Sequence, residues 1–173
     1  MPVQQFRTAI RELSTGQMID LRRTLARWAG MGYEPVSVVQ APGQFSHRGG
    51  ILDVFPPADR LPVRIELFGN QIDSLRRFDP ATQRSQERVE RITITPAREA
   101  LPRHGPRVAE FLAPLLDRDL PADVRTEFAT HYDGLTSAAP FAGIEFYLPY
   151  FYTHPATLLD YVPNKRFYTC PDR

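Results

Sequence analysis

The alternation between Val63 and Phe78 constrains this chain more than any other stretch. Val63, Ile65 and Leu67 alternate with Arg64, Glu66 and Phe68, the period of a strand buried on one face. Gly69-Asn70 follows, two residues that tolerate positive φ, so Gln71 to Phe78 reads as the return strand of a tight hairpin. The outward row of the first strand is then Arg64, Glu66 and Phe68. An aromatic among charges on an outward face fits a contact anchor, because aromatic residues and Arg concentrate at protein interfaces. The other reading is a core ring covered by a helix or by the second half of the chain.

The neighbouring residues extend this hairpin into a meander. Pro35 to Gln40 predicts a first strand, Gln44 to His47 a second, and Ile51 to Phe55 a third that Pro56-Pro57 stops. Asp79-Pro80-Ala81-Thr82 makes a turn, and Arg88 to Thr95 reads as the last strand. Ahead of the strands, Asp20 is a good N-cap for a helix with Leu21, Leu25, Trp28 and Ala29 on one stripe. Gly30 and Gly32 end it, and Arg22, Arg23 and Arg27 face solvent. Met1 to Gln17 is weakly patterned and reads as a connection from something longer. The expected fold class is α+β, a small antiparallel sheet with one packed helix over residues 14–99.

Residues 100–173 change character to a mainly helical, aromatic-rich region. Gly105-Pro106 opens a helix with Val108, Phe111, Leu112, Leu115 and Leu116 on one stripe, shortened or kinked by Pro114. Pro121 opens another, with Val124 and Phe128 inward and Gly134 just past its end. Phe141 to Pro163 is then dense in Phe and Tyr, too apolar to leave wholly in water. Arg166 to Cys170 reads as one short strand.

With 173 residues, the chain has room for one domain, or one domain plus part of another. At 42% apolar and 24% charged residues the composition is that of a globular protein. The net charge of +1 argues against a broad non-specific nucleic-acid surface. A competing reading nevertheless has Arg22, Arg23, Arg76, Arg77 and Arg84 contacting nucleic acid directly. Cys170 is the single cysteine, which excludes an internal disulfide or a cysteine-based zinc site. No apolar run approaches the ~20 residues of a membrane span, so a cytoplasmic protein is expected.

Catalytic signatures are missing. The sequence has no phosphate-binding G-x-x-x-x-G-K-[ST] loop, no G-x-G-x-x-G and no G-x-S-x-G. His47, His104, His131 and His154 lack metal-site spacing. Asp53 and Glu66 lie on neighbouring strands and are candidates for paired carboxylates, or for partners of Arg48 and Arg64 across the sheet. No enzyme activity, cofactor or metal is expected.

Several strings taken together are specific. Gly32-Tyr33-Glu34, PGQFSHRGGILDVFPP, PVRIELFGNQIDSLRRFDPATQRS, ITPARE, GIEFYLPYFY and ATLLDYVP resemble the UvrB-homology region of bacterial transcription-repair coupling factors, and more distantly the excinuclease subunit UvrB. The resemblance runs over about residues 14 to 170. It implies that residues 14–99 are a UvrB domain 2-like module binding UvrA, and that residues 100–173 are part of a domain 1b-like region. That region would expose an apolar face where a flanking domain docks. The positions it implicates in UvrA binding are Arg48, Arg64 and Phe68, with Arg60 and Glu66 as flanking candidates. The family usually has Phe-Phe where this chain has Leu67-Phe68. The function implied is a non-catalytic adaptor that recruits nucleotide excision repair. RNA polymerase and DNA would be partners of other domains of the full-length family protein. A DNA-binding, damage-recognition module and a purely structural scaffold are the alternatives.

Overall fold

The computed structural model describes residues 1–162, so the strand expected at Arg166 to Cys170 lies outside the described residues. The fold is α+β. Its centre is a six-stranded sheet of β2 (Glu34–Pro35), β3 (Gln44–Arg48), β4 (Ile51–Val54), β5 (Val63–Phe68), β6 (Gln71–Phe78) and β7 (Ser85–Val89), in that spatial order. All neighbours are antiparallel except β2 and β3. The hairpin falls where its alternation puts it, with Phe68 opposite Gln71 across Gly69-Asn70 and Gly69 at φ +62°.

The inward row of this sheet packs under α2 (Leu21–Gly30). Val63, Ile65, Leu52, Ile72 and Leu75 are fully buried there beneath Trp28, Met31 and Tyr33. Asp20 caps α2 by accepting the Arg23 N–H at 3.0 Å. Trp28 meets Phe45 edge-on at 5.7 Å, a favourable aromatic geometry. Burial raises the Tyr33 pKa strongly, and its hydroxyl donates to the Thr95 carbonyl at 2.8 Å.

Four elements differ from the sequence expectation. The weakly patterned start holds α1 (Val3–Ala9) and β1 (Arg11–Ser14). The expected strand Arg88 to Thr95 is two strands, because β7 ends at Val89 and β8 (Arg91–Ile94) leaves the main sheet to pair with β1. The expected first strand shrinks to Glu34–Pro35. Beyond it Val36 and Val39 fold onto Phe55 and Phe78, forming a small second core on the opposite side of the sheet.

Two principal helices carry the second half. α3 (Gly105–Leu112) is followed by a 3-10 turn at Ala113–Leu115, so Pro114 does shorten the helix. Phe111 is exposed rather than on the inward stripe. α4 (Ala122–Thr136) leaves Val124 exposed and runs through Gly134 instead of ending before it. A Cβ on Gly134 would sit 2.5 Å from the Phe141 ring, so this glycine admits an aromatic against the helix. A short α5 (Leu148–Phe151) supplies Phe151, which is buried together with Tyr152. Met1 belongs to this same core, with Phe6 packed edge-on against Tyr161 at 5.6 Å. No helix among the described residues is long and apolar enough to cross a membrane.

Candidate functional site

The site lies on the face of the sheet opposite α2. Residues opposed in an antiparallel ladder point to the same side. One cross-strand row is therefore Arg48, Ile51, Glu66 and Ser74, and the next is Ser46, Asp53, Arg64 and Arg76. Phe68, two residues beyond Glu66, continues the same face toward the hairpin tip. It is 81% exposed. Among the described residues, no helix and no part of the second half covers the aromatic that the alternation placed outward.

The two expected arginines differ in kind. Arg48 ends β3, is exposed, and has no carboxylate partner for its side chain among the described residues. Arg64 is clamped. Its Nε and Nη2 donate to the two oxygens of Asp53 at 2.8 Å each, and Nη1 donates to the Gln83 carbonyl at 3.3 Å. The guanidinium also lies 4.7 Å above the Phe78 ring, a cation–π distance. The hydrogen bonds to Asp53 raise the Arg64 pKa, outweighing the opposing effect of burial. The expectation of one open patch of Arg48, Arg64 and Phe68 therefore needs correcting. Arg64 shares the face, but its charge is already taken by Asp53, and its planar fork is spent on that carboxylate.

The acids also settle. Asp53 is buried and answers Arg64, while Glu66 accepts from Ser74 Oγ at 2.5 Å and has Arg76 Nε at 4.0 Å. They are separate cross-strand partners of separate groups, not a carboxylate pair. Arg60 is exposed in the turn between β4 and β5, at the opposite end of the sheet. The strand from Val63 to Phe68 alone rises about 17 Å, so the structure does not bring Arg60 and Phe68 together.

Two exposed apolar residues join Phe68 on this face without having been singled out. Ile51 opens β4 and alternates outward because Leu52 and Val54 go inward. That signal was present in the string Ile51-Leu52-Asp53-Val54. Met18 reaches the face through a lone bridge to Gln71 at the free edge of β6, with Ile19 N–H bonded to Asn70 O and Ile72 N–H to Gln17 O. No local pattern announces that pairing.

Elsewhere the chemistry is thin. A cleft of about 420 Å³ between the two halves is lined by Gly32, Glu34, Arg98, Glu145 and their neighbours, and Arg98 is already paired with Glu145 at 3.0 Å. Of the arginines proposed for nucleic acid, Arg76 faces Glu66, and Arg77 is paired with Glu87 at 3.1 Å and Asp59 at 3.7 Å.

The described residues thus present an antiparallel sheet over one helix, with a solvent-facing aromatic and, two strands away on the same face, an arginine that has no carboxylate partner among them. Residues 12–99 match the UvrB interaction domain, and the chain belongs to that family. The chain is similar to transcription-repair-coupling factors: 35% identical to that of Bacillus subtilis (strain 168) over 94% of this chain, and 28% identical to that of Haemophilus influenzae over 96%. A Staphylococcus aureus (strain USA300) relative is 46% identical over 56% of the chain. The matched regions make up 15%, 14% and 8% of those relatives' own lengths.

Proposed function

We propose that this chain is a non-catalytic adaptor that binds UvrA through the outer face of its sheet and so links a partner complex to nucleotide excision repair. Membership of the UvrB interaction domain family supports a place in UvrA-linked repair. One observation carries the assignment of the surface: Phe68 stands in solvent on β5, diagonal to Ile51, which opposes Arg48, an arginine without a carboxylate partner among the described residues. A large ring in water gains from desolvation when a partner covers it, and such anchors dominate interface energies. Arg48, two strands away on the same face, suits a carboxylate on the partner.

Arg64 enters this reading as a positioning residue. It holds Asp53 through two hydrogen bonds, and its partly exposed side chain lies on the same face as the anchor, four residues back along β5. RNA polymerase and DNA belong, on this reading, to parts of the longer relatives that this chain does not match.

Titrating purified UvrA into the chain by calorimetry tests the proposal. Binding is expected for the wild-type chain and a loss of about thirtyfold or more for Phe68→Ala, the effect of removing a central anchor. The Phe68→Ala melting temperature should stay within a degree or two, because the side chain lies outside every core cluster. An unchanged affinity for Phe68→Ala would move the site elsewhere.

A further inference from the structure

We infer that Met18 and Ile51 are contact residues of the same docking face, which together with Phe68 form an apolar strip crossing the sheet tip. The inference rests on the UvrA reading above and names residues and a partner chemistry that the reading does not.

Geometry places the three side chains. Met18 and Gln71 form a pair with no hydrogen bonds directly between them, the closer of the two antiparallel spacings, at about 4.5 Å between Cα atoms. Gln71 in turn opposes Phe68, so Met18, Gln71 and Phe68 make one row. Ile51 opposes Glu66 and is therefore the diagonal neighbour of Phe68, about 7–8 Å away and within reach of an aromatic ring.

Their exposure is unusual for their chemistry. Phe68 is 81%, Met18 66% and Ile51 40% exposed, whereas the residues beside them in sequence, Ile19 and Leu52, are buried in the main core. The three side chains are therefore not a leak from the core but exposed apolar groups on an otherwise polar and charged face, with Gln71 standing between Met18 and Phe68. Met is flexible and polarisable and suits a contact that must conform to a partner.

The charges around the strip define what can dock. Arg48 opposes Ile51 and has no carboxylate partner among the described residues, while Glu66 on the other side is held by Ser74 and Arg76. One open positive charge at one flank fits a partner segment that presents a row of apolar side chains with a carboxylate one strand spacing away. A segment carrying a basic group at that position would meet Arg48 and be rejected. The occupant is thus an apolar, acid-flanked surface of UvrA, seated across β4, β5, β6 and the Met18 segment rather than on Phe68 alone.

The test compares single variants of the whole chain in the UvrA titration. Met18→Ser and Ile51→Thr are each expected to weaken binding about five- to tenfold, less than Phe68→Ala and with unchanged melting temperatures. Glu87→Ala, on the far strand β7, should not change affinity. If Phe68→Ala loses binding while Met18→Ser and Ile51→Thr bind like the wild type, the strip is wrong and the UvrA reading stands. If the wild-type chain does not bind UvrA at all, both fail. Sedimentation velocity covers the remaining occupant: a concentration-dependent dimer that Met18→Ser dissolves would assign the strip to a second copy and overturn the inference.

Discussion

The Arg64 guanidinium and the Asp53 carboxylate meet edge to edge through two 2.8 Å hydrogen bonds, and the guanidinium lies over the Phe78 ring. The carboxylate is 2% exposed, so it depends on this one cation for its charge balance. Arg64 thereby ties β4 to β5 and roofs the small core of Val39, Phe55 and Phe78.

Arg64→Ala should therefore destabilise the chain by about 3 kcal/mol, the cost of stranding a buried charge. Urea unfolding followed by tryptophan fluorescence at Trp28 measures it. The double variant Asp53→Leu with Arg64→Leu should recover most of that loss, since an apolar pair of similar size removes the unpaired charge. Any weakening of UvrA binding by Arg64→Ala should then be largely restored in the double variant. A double variant as unstable as the single one would contradict the clamp.

Arg48→Ala should act differently. Its side chain makes no ion pair among the described residues, so stability should be unchanged within about 0.5 kcal/mol. Affinity for UvrA should fall about three- to tenfold, mainly through slower association, and the residual binding should depend less on salt. Surface plasmon resonance at two ionic strengths separates these terms.

His104 gives the second half a pH dependence. Burial, then the neighbouring Arg103 and Arg107, lower its pKa from the usual imidazole value. The unfolded chain consequently takes up a proton at a higher pH than the folded chain does. Stability is complete above about pH 6.5 and is lost as the pH falls through the depressed folded value. Melting temperatures at pH 7.5 and pH 5.5 should differ in that direction, and His104→Gln should narrow the gap.

Gly105→Ala should disrupt the contact between α3 and α4. An added Cβ would lie 2.4 Å from the Leu135 carbonyl oxygen, a backbone atom that cannot rotate aside. The expected loss is about 2 kcal/mol from forced separation of the helices. A thermal melt by circular dichroism checks it, and Gly49→Ala is no control because that residue sits at φ +56°.

What the sequence disclosed and what it withheld follow from the range of the interactions. The β5–β6 hairpin was legible because Val63, Ile65 and Leu67 alternate and Gly69-Asn70 turns the chain, all within a few residues. The exposure of Phe68 was legible for the same reason. The clamp on Arg64 was only half visible: Asp53 could be named as a possible partner, but choosing between Arg48 and Arg64 required the β4–β5 register. β1 escaped because Arg11 to Ser14 shows no clear period and its partner β8 lies some 80 residues on. Met18 escaped on similar grounds, since its place depends on a bridge to Gln71. Gly134 misled because a glycine near a helix end usually marks a cap, whereas here the Phe141 ring needs the space.

The bracing of the hairpin tip bears on how fast a partner can dock. Leu67 N–H bonds to Gly50 O at 2.7 Å on one side of the tip, and Ile19 N–H bonds to Asn70 O at 2.8 Å on the other. The backbone beneath Phe68 is held from both flanks, so docking orders side chains rather than the hairpin itself, and the Phe68 ring adds about 0.5–1.5 kcal/mol of ordering cost. The encounter should accordingly run as a single kinetic step, its observed rate rising linearly with UvrA concentration and showing no plateau from a slow rearrangement of this chain.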